Sequence, residues 1–247
     1  MILYTLIVVI TVTKERILLS AYGAFMEIKE ICSKIDHTLL SPTACELDVV
    51  KLCEQGKKYS VASVCVPPCY VKTAYTRVGS SIPVCTVVGF PNGYNTTALK
   101  VYETEKALAD GATEIDMVIN IGKLKAGDYA YVSNEIEAVK EVCQNNVLKV
   151  IIETCYLNTF EKKQMCHVIA QAGADFIKTS TGFGKQGASK EDIAFLASIC
   201  SPYLKIKASG GISTFEDARE FLLLGAHRLG CSKLINILEE QNGKIQQ

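Results

Sequence analysis

Lys178 closes a short apolar run, Ala174 to Ile177, and is followed at once by Thr179-Ser180-Thr181-Gly182-Phe183-Gly184. A lysine at the inner end of a buried strand is costly, because burial disfavours its ammonium. An amine held unprotonated there is a nucleophile that condenses with a carbonyl to form a Schiff base. The small residues after it leave room for a substrate and free backbone N–H groups. Taken alone, such a lysine is equally a strand end that snorkels to water. Two further residues bear on the choice. Lys207 opens the turn Lys207-Ala208-Ser209-Gly210-Gly211-Ile212 after another apolar segment, and Asp116 sits inside the apolar run Glu114 to Ile119. A carboxylate in an apolar strand is rarely accommodated unless paired. Asp116 is therefore half of a buried ion pair with Lys207 or Lys178, or a proton shuttle, and a carboxylate close to both a lysine and a substrate hydroxyl serves as both.

The elements that must position these residues alternate in type. Strand-like runs fall at Ile35 to Leu40, Val61 to Val66, Pro83 to Phe90, Glu114 to Asn120, Leu148 to Glu153, Ala174 to Lys178, Leu204 to Ala208 and Arg228 to Gly230. Helical patterns fill the gaps: 27–33, a segment ending near Tyr59, 70–78, 97–110, 130–144, 159–172, 190–200, 214–224 and 232–240. Thr43 with Glu46 three residues on reads as a capping box, and Gly111, Gly173 and Gly225 stand where left-handed helix ends belong. Eight strands, each followed by a helical segment, predict a parallel sheet. Closure of eight such units in about 220 residues gives a single α/β domain, a (β/α)8 TIM barrel. A doubly wound open sheet competes, but it calls for a Gly-rich turn after the first strand, and Asp36-His37-Thr38-Leu39 is not one.

In a barrel the chemistry gathers at the carboxyl ends of the strands. The polar residues there are Asp36, Thr38, Cys65, Asp116, Asn120, Glu153, Lys178 and Lys207. Lys178 and Lys207 lie on consecutive strands, ~4.8 Å apart laterally, and two ammonium groups so close cannot both stay charged cheaply. Lys205 shares parity with Lys207, but Lys207 is nearer the strand end and the glycine pair, which leaves Lys205 at the barrel bottom or in an ion pair. Gly210-Gly211 after the seventh strand, Gly230-Cys231-Ser232 after the eighth, and Gly182 stand where barrels of this kind hold phosphate.

Composition excludes other classes. Lys plus Arg and Asp plus Glu are 26 each among 247 residues, so no global field recruits nucleic acid or an anionic membrane. The cysteines number 11, an odd count scattered through apolar segments, which fits reduced thiols inside a cell rather than a disulfide framework. Cys65 and Cys69 find no second pair to complete a zinc site, and His37, His167 and His227 do not cluster, His167 reading as structural. Cys65 either lines the pocket or is inert packing. Residues 1–25 form an apolar extension: Ile2 to Val12 is too short to span a bilayer, and Lys14 and Arg16 follow the apolar run where a secretory signal would carry charge before it. The expected working domain is 26–247.

The sequence resembles the deoxyribose-phosphate aldolase family of class I aldolases, from about Ile31 to Leu238. The resemblance rests on five motifs in order: Ile35-Asp36-His37-Thr38-Leu39-Leu40, Glu114-Ile115-Asp116-Met117-Val118, Lys149-Val150-Ile151-Ile152-Glu153-Thr154, Phe176 to Phe183, and Lys207 to Ile212. It implies that Lys178 is the Schiff-base lysine, that Lys207 keeps it reactive and assists proton transfer, and that Asp116 relays protons. It further implies reversible cleavage of 2-deoxy-D-ribose 5-phosphate to acetaldehyde and D-glyceraldehyde 3-phosphate, a catabolic step in the cytoplasm, with no metal and no organic cofactor. By the same carry-over Asp36, Thr38 and Cys65 line the substrate channel, and Thr181, Gly182, Gly210, Gly211, Gly230 and Ser232 contact the phosphorylated sugar. A homodimer is the assembly it implies. Lys233 departs from the pattern, replacing a serine the family often has. Two rivals remain. One is a Schiff-base aldolase for another donor, a longer phosphosugar or a keto acid, of which the keto acid would need an arginine clamp, and Arg228 alone stands in the strand-end motifs; the other, a non-catalytic phosphosugar-binding barrel, would be expected to have lost Lys178, Lys207 or Asp116.

Overall fold

Short runs of β-branched and small apolar residues form the strands, and longer segments with Ser, Thr, Asn or Asp at their starts form the helices around them. The structure is a computed structural model and describes residues 26–200 and 202–245; the expectations for residues 1–25 lie outside them. In chain order the elements are α1 (Ile28–Cys32), β1 (Ile35–Thr38), α2 (Glu46–Tyr59), β2 (Ser63–Val66), α3 (Val71–Val78), β3 (Val84–Val88), α4 (Thr97–Ala109), β4 (Glu114–Val118), α5 (Ile121–Lys125), α6 (Tyr129–Cys143), β5 (Val147–Ile151), α7 (Thr159–Gln171), β6 (Phe176–Lys178), α8 (Lys190–Ile199), β7 (Lys205–Ser209), α9 (Phe215–Leu223), β8 (Arg228–Cys231) and α10 (Leu234–Ile245). All eight strands are parallel and pair in sequence order, and β8 pairs with β1 to close the barrel. This is the (β/α)8 architecture that the alternation predicts.

The two faces of each strand have different fates. Ile115 and Met117 of β4, Val150 of β5 and Ile177 of β6 join the apolar layer that also holds Ile136 and Val139 of α6 and Ile169 of α7. The alternate residues turn into the barrel. The register sets Asp116 beside Lys149, Lys178 beside Lys207, and Cys65 beside Cys85. One parity of the strands thus supplies packing, at about 25 cal/mol per Å² of apolar surface buried, and the other carries the charged residues of β1 and of β4 to β8, while β2 and β3 turn Cys65, Cys85 and Val87 inward.

Helix starts are fixed by side chains. Asn158 accepts from the Glu161 amide at 2.9 Å while the Glu161 carboxylate accepts from the Asn158 amide at 2.8 Å, a reciprocal box opening α7; Thr214 with Asp217 opens α9 in the same way. At α2 the box expected from Thr43 and Glu46 is not the one formed. The helix begins at Glu46, the Cys45 amide donates to Asp48 at 2.9 Å, and the Thr43 hydroxyl bonds Ser41. Gly111, Gly173 and Gly225 follow their helices at φ of +106°, +75° and +112°, as their sequence positions predict. The helix α5 has no counterpart in the sequence pattern: Asn120 ends the strand run and caps it, accepting from the Lys123 amide at 3.1 Å. Five residues are too few to display a helical period.

Candidate active site

Strand register delivers the chemistry to one place. Asp116 is wholly buried in the barrel, and its Oδ2 accepts from Lys178 Nζ at 2.8 Å and from Lys207 Nζ at 2.6 Å. Its Oδ1 accepts from Lys149 Nζ at 2.9 Å and from the Cys85 thiol at 3.2 Å. The network continues downward. Lys207 also pairs with Asp36, Lys149 reaches Glu114 at 2.6 Å and Asp36 at 3.7 Å, and Arg228 holds Asp36 at 2.5 Å and Glu114 at 3.2 Å. Four cations therefore interlock with three carboxylates.

These contacts decide the charge states. Burial opposes ionisation of Asp116, but Lys149, Lys178 and Lys207 outweigh it and hold its carboxyl well below the usual range. Asp36 is lowered in the same way, burial being overcome by Lys207, Lys149 and Arg228. Burial also disfavours the charge on Lys207, yet Asp116 and Asp36 raise its pKa above that of an ordinary lysine, and Lys149 is raised for the same reason. Lys149 and Lys207 are fixed cations.

Above this network lies a cavity of about 390 Å³ with Lys178 in its floor. Its walls include Thr38, Thr181, Gly182, Gly210, Gly211, Gly230 and Ser232, the expected residues, together with Lys233. Gly230 is required by crowding, since a Cβ there would collide with Ser209 Oγ and the Lys207 side chain. Gly210 sits at φ +77° with its backbone against Gly187, where a Cβ on Gly187 would strike it.

Some of the expected residues stand elsewhere. Asp36 is not among the residues bordering the cavity: it is fully buried and pairs with Lys207 and Arg228, neutralising those cations. Cys65 is also fully buried, packed with Cys85, Val87, Leu40 and Phe90, because its register with Cys85 turns it into the barrel wall. Thr181 borders the cavity, but its hydroxyl donates to Glu153 at 2.5 Å and accepts from the Phe183 amide at 3.0 Å, so it holds the loop in shape. Thr38 donates to the Asp36 carbonyl at 2.8 Å. His37 bonds Gln55 at 2.9 Å in the outer layer, and Lys205 lies at the opposite end of the barrel.

Sequence reasoning passed over Lys149, Glu114 and Arg228 as network members, and Ser209, whose buried hydroxyl has no partner among the described residues and borders the cavity. Parity with Asp116 and Lys207 along their own strands is the available signal for Glu114 and Ser209; Lys149 and Arg228 are found through the register, which sets them beside Asp116 and Lys207. Cys65, Cys85, Glu114, Asp36 and Asp116 could also ligate a metal by proximity, since the ligand atoms of Cys65, Cys85 and Asp116, and of Asp36, Cys85 and Glu114, lie within 4.8 Å of one another. The Lys149 ammonium already stands among them, 3.3 Å from Cys85 Sγ and within ion-pair reach of all three carboxylates. No helix among the described residues is long and apolar enough to cross a membrane.

Residues 31–232 match the DeoC/LacD family aldolase model. The chain is 50% identical over 216 residues to the deoxyribose-phosphate aldolase of Clostridium botulinum strain Eklund 17B, covering 87% of this chain and 98% of that one. It is 48% identical over 216 residues to the enzyme of that name from Streptococcus agalactiae serotype Ia, covering 87% and 97%. Among solved structures, an aldolase designated QR15 superposes with a TM-score of 0.83 at 37% identity, covering 88% of this chain and 98% of that one. The tetrameric deoxyribose phosphate aldolase of Aeropyrum pernix superposes with a TM-score of 0.79 at 30% identity, covering 87% and 92%. Sequence match, barrel topology and relatives agree over the same span, and the chain belongs to the DeoC/LacD family of aldolases.

Proposed function

We propose that this chain cleaves 2-deoxy-D-ribose 5-phosphate reversibly to acetaldehyde and D-glyceraldehyde 3-phosphate through a Schiff base on Lys178. The observation that carries the reading is the sharing of one oxygen, Asp116 Oδ2, by Lys178 and Lys207 in the floor of a cavity. Fully ionised, the linked network holds one more positive than negative group. Lys207 and Lys149 are raised and stay charged, while Lys178 is the lysine whose amine borders the cavity. The free amine adds to the sugar's carbonyl carbon and water leaves, giving a protonated imine. That imine withdraws electrons as the C2–C3 bond breaks, so the two-carbon fragment departs from C3 as a neutral enamine rather than a carbanion.

The C3 hydroxyl must lose its proton in the same step. Asp116, acting with the Lys207 ammonium that shares its oxygen, is the group in position to relay it. Protonation of the enamine and hydrolysis of the resulting imine then release acetaldehyde. The phosphate belongs at the rim made by Gly182, Gly210, Gly211, Gly230 and Ser232, where Lys233 adds a cation. The Ser209 hydroxyl, without a partner among the described residues, is available to the substrate. Borohydride added with acetaldehyde tests the reading. Reduction of the trapped imine must leave an ethyl group on Lys178, located by peptide mass spectrometry, and protein left unmodified there sinks the proposal.

A further inference from the structure

A second cavity, of about 590 Å³, opens at the other end of the barrel, beneath the starts of the strands. Lys34, Lys205, His227 and Arg228 border it, and Glu30 is the acid on its wall among the described residues. Arg228 is committed to Asp36 and Glu114 inside the barrel. Lys34 and Lys205 have no carboxylate partner among the described residues; the Lys205 ammonium lies over the Phe176 ring, 5.6 Å from its centroid. His227 accepts the Ile206 amide on Nδ1 at 3.2 Å, which leaves Nε2 available. Two ammonium groups with no carboxylate partner among the described residues and a free imidazole nitrogen thus border one hollow, which presents an anion with a set of donors.

We propose that this cavity binds a small phosphorylated compound, its phosphate held by Lys34, Lys205 and the Nε2 of His227, and its organic part against Leu222 and Ala226. Phosphate is favoured over a carboxylate because the one guanidinium, which pairs best with planar carboxylates, is already occupied, while lysine ammoniums serve phosphate as point charges. The volume exceeds what a bare ion needs and lies in the range of small-molecule sites. The site is independent of the aldolase chemistry, since Lys178 faces the opposite cavity.

His227 itself reports occupancy. Burial and the charges of Lys205 and Lys34 push its pKa down, so a bound dianion, by cancelling those charges, pushes it back up; Arg228 and Glu30 are the other ionisable groups facing it. The full chain holds three histidines, whose ring protons are separable by NMR. Titration with pyrophosphate must move the His227 resonance saturably and raise its pKa, beyond the effect of sodium chloride at equal ionic strength. Loss of one charged contact in Lys205→Ala or Lys34→Ala must weaken that titration at least about tenfold. Both lysines are exposed, so the variants are expected to fold, as melting curves will verify. A His227 response no larger than that to chloride, or a saturable response that survives both substitutions, overturns the proposal.

Discussion

Two buried lysines, Lys100 and Lys178, differ in what surrounds them. Lys100 on α4 is fully buried, and its ammonium donates to the carbonyls of Gly93 and Val118 and to Glu135 Oε1, each at 2.7 Å. Three donors meet three acceptors. Lys178 is nearly as buried, yet it has one acceptor among the described residues, Asp116 Oδ2, and shares it with Lys207. Its remaining donors face the cavity. Burial lowers the pKa of Lys100 even against the pull of Glu135, the direction associated with nucleophilic lysines, but no substrate can reach it. What separates the structural lysine from the one proposed to react is the number of acceptors and the open side, and a perturbed pKa alone selects Lys100, which borders no substrate cavity.

The same substitution at both positions tests that contrast. Lys178→Met removes the amine proposed to condense with the substrate, and on that proposal kcat must fall by at least ~10⁴-fold, as for loss of other covalent nucleophiles. It also removes the surplus positive charge, so the melting temperature is expected to hold. Cleavage of deoxyribose 5-phosphate and thermal melting measure the two effects, and a folded Lys178→Met protein that still turns over would transfer the nucleophile's role elsewhere. Lys100→Met acts in reverse. It strands the Glu135 carboxylate with one amide partner, Asn120 at 3.0 Å, and breaking a buried pair costs about 3–5 kcal/mol of stability. Urea unfolding reads that loss, while kcat per folded molecule stays unchanged. Removing the stranded charge as well, in Lys100→Met with Glu135→Leu, is expected to recover part of it.

This contrast marks how far the sequence could be read. Alternation of elements gave the barrel, and strand-end position with parity gave Lys178, Lys207 and Asp116, because each carries charge into an otherwise apolar run. Both faces of a parallel strand are buried, however, so the pattern does not say which face is ionic. Asp36, which the resemblance puts in the channel wall, is a buried counter-ion of Lys207 and Arg228, and no pattern in the sequence marks Lys149 and Arg228 as members of that network. The Lys100–Glu135 pair was invisible for another reason. Its members lie on separate helices, where charged residues normally face solvent, and only the packing of α4 on α6 turns these two inward.

The network in the barrel predicts how stability depends on pH. Asp116 and Asp36 titrate below the ordinary value of 3.8. Their contribution is complete above that value and is lost as the pH falls through it toward their folded values. Lys149 and Lys207 titrate above the ordinary 10.5, so theirs is complete below 10.5 and lost as the pH rises beyond it. From these groups alone the melting temperature changes little between about pH 5 and 10 and declines on both sides; His37 and His227, lowered from 6.5 chiefly by burial, add a further loss as the pH falls through 6.5. Calorimetry across that range checks the shape. A steep change near neutral pH would show that other groups, not the interlocked carboxylates and lysines, govern the fold.

The smallest effect belongs to a lysine–carboxylate pair with neither feature. Lys106 and Asp110, four apart at the end of α4, approach to 2.6 Å, with the lysine side chain 61% exposed. In water such a pair is screened and costs side-chain entropy to hold, so its worth is about 0.3–0.5 kcal/mol. Lys106→Ala is expected to shift urea unfolding by no more than that, and the shift should vanish in high salt. Its distance is shorter than that of Lys178 to Asp116. If Lys106→Ala nevertheless approached the cost of Lys100→Met, separation alone would govern these pairs, and the argument from acceptor count and burial would fail.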